Sequence, residues 1–141
     1  MNLAKRHYRK ASHCVYDIVC CLVWATKYRK AVFFGQEALR IRAIIKDVCA
    51  ELEVHILSGN VRPDHIKLIV SILPTISIST VVGKIKGKSA HFMFAESEGM
   101  RREFPKGHLW ATGYSVTTNV TIPPAEISEC LRLMEPELEN S

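Results

Sequence analysis

Residues Val15–Trp24, VYDIVCCLVW, narrow the choice of folds more than any other stretch of this chain. The run is β-branched, aromatic and apolar, which predicts a buried strand. Its most apolar part, Ile18 to Ala25, is far shorter than the roughly 20 residues a membrane span needs. A buried strand must pair within a sheet whose faces are covered, so the rest of the chain has to supply partners and cover.

The rest of the sequence meets that demand. From Gly35 to about Leu52 the apolar residues Ile41, Ile45, Val48 and Leu52 recur at three- and four-residue steps, predicting a helix with one face on a core. A strand is expected near Val54–Val61, and another over Asp64–Leu73, ended by Pro74. Ser77 suits an N-cap for a helix carrying Ile78, Val82 and Ile85 on one face. A polar loop with Gly99, Pro105 and Gly107 leads to a strand over Leu109–Val120. Pro123-Pro124 opens a last helix with Ile127, Cys130, Leu131 and Met134. The order strand, helix, strand, strand, helix, strand, helix predicts an α+β fold: a ferredoxin-like antiparallel sheet covered by helices. The length of 141 residues suits a single domain over 1–141. No Gly-rich phosphate fingerprint supports a parallel doubly wound alternative.

Charge and cysteines bound the partners and the compartment. Nineteen Lys and Arg against 14 Asp and Glu leave a net charge of +5, which favours phosphate-rich partners without identifying one. The first ten residues, MNLAKRHYRK, are charged and lack the apolar core of a signal peptide. Five cysteines (Cys14, Cys20, Cys21, Cys49, Cys130) contain no CxxC pair. They match neither a zinc framework nor a secreted disulfide scaffold, and a reduced cytoplasmic setting with no membrane is expected.

Three groups of residues carry possible chemistry. His65 and Lys67 alternate with Ile66 and Leu68 and so share one strand face; that pair fits an exposed sheet face, or a phosphate or metal site. Lys84 and Lys88 in GKIKGKS share a helix face, Lys86 points elsewhere, and Gly87 is expected to interrupt the helix. Tyr28 sits among Lys27, Arg29 and Lys30, and an aromatic ring among cations suits unpaired bases and backbone phosphates. Cys130, on the apolar face of the last helix, reads by default as a small buried residue.

Taken in order, TKYR at Thr26–Arg29, PDHI at Pro63–Ile66, KGKS at Lys86–Ser89 and LW–GY at Leu109–Tyr114 carry a resemblance across nearly the whole chain. The sequence resembles the small HUH transposases that use a single catalytic tyrosine, encoded by the smallest bacterial and archaeal insertion sequences. The resemblance implies a ferredoxin-like homodimer that binds hairpin ends in single-stranded DNA and cuts one strand through a tyrosine phosphodiester. It implies a divalent metal, Mg or Mn, held by two histidines of an H-hydrophobic-H motif and a glutamine on the tyrosine helix. The segments it places against nucleic acid contain Lys27, Tyr28, Arg29, Lys30, Arg62, Lys84, Lys86, Lys88 and Ser89.

The chain departs from that pattern at the catalytic positions. His65 matches the first metal histidine, but the second position holds Lys67. The tyrosine position falls on Cys130, the glutamine on Met134, and a further first-strand histidine on Cys21. A lysine ammonium can serve a phosphate where a dication would sit, which supports binding better than cleavage. The expectation is a hairpin-binding, catalytically degenerate relative. The alternatives are an active transposase using His65, Lys67 and an unassigned nucleophile, or a dimeric RNA-hairpin-binding or interaction protein on the same scaffold.

Overall fold

The structure, a computed structural model, describes residues 18–118 and two short strands before them, β1 (Arg9–Ala11) and β2 (Cys14–Tyr16). The apolar run does not form one strand. Its first part, β2, pairs antiparallel with β1, Arg9 opposite Tyr16. Its second part is β3 (Val19–Ala25), in a separate four-stranded sheet. The run divides because its two halves find different pairing partners, and the polar sequence of Arg9–Ala11 gave no sign that it would supply one.

Beyond β3 the chain forms α1 (Gly35–Glu51), β4 (His55–Arg62), β5 (His65–Ser71), α2 (Ile78–Glu96), α3 (Glu98–Glu103) and β6 (Ser115–Thr117). The sheet order is β4-β5-β3-β6, every pair antiparallel. From β3 to β6 this is the βαββαβ ferredoxin-like arrangement, with α1 and α2 packed side by side on one face. Strand alternation decides which side chains meet those helices. Cys20, Leu22, Trp24, Ile66, Leu68 and Val70 point inward and are buried with Ile41, Ile45, Val48, Val82 and Ile85 from the helices. Leu57, which has no partner in the β4–β5 register, lies at a bulge between Ile56 and Ser58; Ile56 and Leu57 are consequently both buried although adjacent.

Three expectations need correction. Helix α2 runs unbroken through Gly83 and Gly87, capped by the Ser77 hydroxyl, which accepts from the Thr80 amide at 3.1 Å. Both glycines are exposed, and a Cβ on either would meet nothing within 4 Å; neither serves a close backbone approach. Gly87→Ala is therefore expected to raise stability by about 0.5–1 kcal/mol, read from the urea midpoint. Second, the segment around Gly99 is not a loop but α3, whose N-cap Ser97 accepts from the Met100 amide at 3.2 Å. Third, the strand expected from Leu109 is reduced, among the described residues, to Ser115–Thr117, because Leu109 and Trp110 turn into the core instead. The helix expected after Pro123, with Cys130 and Met134, lies outside the described residues. No helix among the described residues is long and apolar enough to cross a membrane.

Candidate nucleic-acid interface

The site is organised by the tight turn Pro63-Asp64 between β4 and β5. Thr26, fully buried at the end of β3, donates its amide to the Asp64 carbonyl at 2.9 Å. Its hydroxyl lies 2.8 Å from the Lys30 carbonyl and 3.2 Å from that of Asp64. The amides of Val32 and Phe33 both donate to the Pro63 carbonyl. The TKYR turn and the PDH turn are thus tied together by backbone. Arg29 then clamps the Asp64 carboxylate from Nε at 3.1 Å and Nη2 at 2.9 Å, both on Oδ2. The other oxygen, Oδ1, lies 2.7 Å from His65 Nδ1. Hydrogen bonds from His65 and then Arg29 hold the Asp64 carboxyl below its usual range. With Nδ1 on a carboxylate, the His65 ring is oriented and Nε2 is its remaining nitrogen.

His65 and Lys67 project from the face of the sheet opposite α1 and α2, while Ile66, Leu68 and Val70 are wholly buried. Directly across from them on β4 are Arg62 and Asn60, and on β3 Ala25 and Val23. The Asn60 side-chain oxygen is buried with no hydrogen-bond partner. Cys21 lies on the same face, opposite Ile69 and Thr117. Cys20 faces the core, and its thiol is pushed up to about 11 by burial and then by Cys21, which makes it inert as a nucleophile.

These residues do not fit the divalent metal that the resemblance implies. A metal ligand needs a lone pair, and Lys67 presents an ammonium with three donors and no acceptor. Among the described residues no three His, Cys, Asp or Glu side chains are grouped to hold an ion. Cys130 and Met134 lie outside the described residues, so the structure does not bear on their expected places.

The basic residues separate into tied and open sets. Lys86 donates to the carbonyls of Ala111 at 2.8 Å and Gly113 at 2.9 Å, and burial lowers its ammonium below the usual range. Lys88 pairs with Glu51 at 2.8 Å. Ser89, expected at the nucleic acid, is fully buried; it accepts from the Trp110 indole at 3.0 Å and donates to the Lys86 carbonyl. Its task is to seat Trp110, and no DNA contact is open to its side chain. Lys84 and Arg62 are exposed.

Lys27, Tyr28 and Lys30 line a cavity of about 220 Å³ with Glu103, Phe104, Pro105, Lys106 and His108, Lys30 lying 3.7 Å from the Glu103 carboxylate. Arg29 turns away from it toward Asp64. Tyr28 is 72% exposed and held at φ 61°, a left-handed conformation that costs a non-glycine residue free energy. Lys27 stands 5.5 Å from the Tyr28 ring centre, and Lys30 stands 5.4 Å from that of Phe104. Sequence reasoning missed Phe104, Lys106 and His108; the only sequence signal was a pair of basic residues in a Pro/Gly turn.

Residues 14–129 match the family model for IS200-like transposases. The chain belongs to that family. The ISDra2 transposase TnpA of Deinococcus radiodurans is 31% identical over 110 residues, covering 78% of this chain and 79% of that one. The transposase of insertion sequence IS200 from Salmonella typhimurium is 30% identical over 106 residues, covering 75% and 67%. A crystallised candidate transposase of D. radiodurans superposes with TM-score 0.72 at 26% identity, over 92% of this chain and 97% of its own. A REP-associated tyrosine transposase bound to a REP hairpin shares the fold at TM-score 0.57 and 12% identity, over 93% and 72%.

Proposed function

We propose that this IS200-like chain binds DNA hairpins exposed in single-stranded DNA, as at the ends of a mobile element, and that it does so without cutting the strand. The observation that carries this reading is Lys67. It stands beside His65 on the open sheet face, where the family pattern calls for a second metal-binding histidine. An ammonium there attracts a phosphate and cannot help a metal polarise one. The Tyr28 ring and the neighbouring cavity offer an unpaired base a stacking surface, and Lys27, Lys84, Lys106 and Arg62 offer its backbone positive charge. The related REP-associated transposase was solved with a hairpin in place, which supports the same class of ligand here. The working form in this reading is a cytoplasmic homodimer.

The test is a labelled hairpin with single-stranded flanks, run on native and denaturing gels with Mg²⁺ or Mn²⁺ present. A retarded native band and no covalent protein–DNA band or shortened strand are expected. A covalent adduct or strand break overturns the inactivity. Absence of retardation overturns hairpin binding, and tighter retention of the matched RNA hairpin transfers the reading to RNA.

A further inference from the structure

Resting on that hairpin-binding reading, we propose that the open sheet face is a metal-independent phosphodiester site, in which Lys67 and Arg62 grip one backbone phosphate beside the oriented His65 ring. Paired residues on neighbouring antiparallel strands share a face, their Cβ atoms about 4.5–5.5 Å apart. Asn60 is paired with Lys67, and Arg62 with His65. The four side chains therefore form a compact block, with two cations at opposite corners.

Both cations are exposed, and neither has an ion-pair partner among the described residues. The nearby carboxylate, Asp64, is already engaged on both oxygens by Arg29 and His65, so it does not neutralise them. Arg62 supplies a planar fork that matches two phosphate oxygens, and Lys67 a point charge with three donors. The buried, unpartnered oxygen of Asn60 accepts one Lys67 donor when the ammonium settles inward, leaving two for the phosphate. Asp64, locked by Arg29 and by the Thr26 backbone, is a positioning residue: it fixes the His65 ring as one wall of the site. Charge that a dication would otherwise supply is already in the chain, and DNA binding there needs no metal.

The experiment uses the full chain and a hairpin with a single-stranded flank, in which each flanking phosphate is replaced in turn by an uncharged methylphosphonate. One position is expected to weaken wild-type binding by about 10-fold or more, the worth of a charge-assisted contact. Lys67→Ala weakens binding to the unmodified flank and shrinks the penalty of that one replacement, Arg62 still holding the phosphate; removing Arg62 as well makes binding indifferent to it. Because Lys67 is exposed, the variant is expected to fold normally, checked by circular dichroism. Wild-type affinity is expected to be equal in EDTA and in Mn²⁺. Lys67→His restores alternating histidines and is expected to make affinity rise with Mn²⁺. A wild-type affinity that rises 10-fold with Mn²⁺, or replacements whose effects persist equally in Lys67→Ala, overturns the site while leaving hairpin binding standing. Failure to bind the hairpin at all overturns both.

Discussion

Trp110→Ala is expected to lower the unfolding free energy by about 3–5 kcal/mol, measured by urea denaturation. The indole packs edge-on to Trp24 at 5.9 Å between ring centres and lies 5.5 Å from Phe33, and only 8% of the residue is exposed. Truncation would leave a cavity between β3, α2 and the segment before α1, and the surrounding structure would close it only in part. Against a total of roughly 5–15 kcal/mol for a domain, that loss is a large fraction. Trp110→Phe separates the contributions: it keeps a ring and removes the N–H that Ser89 accepts, and is expected to cost about 1 kcal/mol through the hydrogen bond. A loss below about 1 kcal/mol for Trp110→Ala would mean that the Trp24–Trp110 contact does not hold these segments together.

The second large effect is electrostatic. Lys27, Arg62, Lys67, Lys84 and Lys106 have no ion pair among the described residues, unlike Arg29, Lys30 and Lys88. With Lys67 and Arg62 on one phosphate and Lys27, Lys84 and Lys106 on one each, four phosphates of single-stranded DNA are neutralised, each adding about 0.7 to the slope of log affinity against log salt. Four such contacts predict a loss of about 50-fold in hairpin affinity between roughly 50 and 200 mM salt. Lys27→Ala or Lys84→Ala should each lower the slope by about 0.7, whereas Lys88→Ala, already paired with Glu51, should leave it nearly unchanged. Filter binding across the salt range reads both quantities. An affinity that is flat with salt, or equal for random duplex and hairpin, would defeat this account of the surface.

Much of the fold was legible because periodicity is a property of neighbouring residues. The 3.6-residue spacing of Ile41, Ile45 and Val48, the Ser77 cap and the alternation of Ile66, Leu68 and Val70 against His65 and Lys67 all appear in the structure as expected. What failed was non-local or marginal. Gly87 weakens a helix by only about 1 kcal/mol, too little to break α2 once its apolar face is packed. The six-residue α3 has a capping serine but little periodicity to announce it.

The sequence alone determined the family motifs, the strand–helix–strand–strand–helix order from β3 to α2, and the placing of His65 and Lys67 on one strand face. Those depend on residue identity and short spacing, which the chain states directly. Only the tertiary structure decided which basic residues are open. Lys86 and Lys88 look alike in sequence, yet one is spent on two carbonyls and the other on Glu51. Only the fold put Phe104, Lys106 and His108 beside Tyr28, and bound Arg29 and His65 to the two oxygens of Asp64. Such groupings gather residues up to 81 positions apart, as Lys27 and His108 in the wall of one cavity. Local spacing carries no information about them; they follow from strand register and from which backbone groups the turns bring within hydrogen-bonding distance.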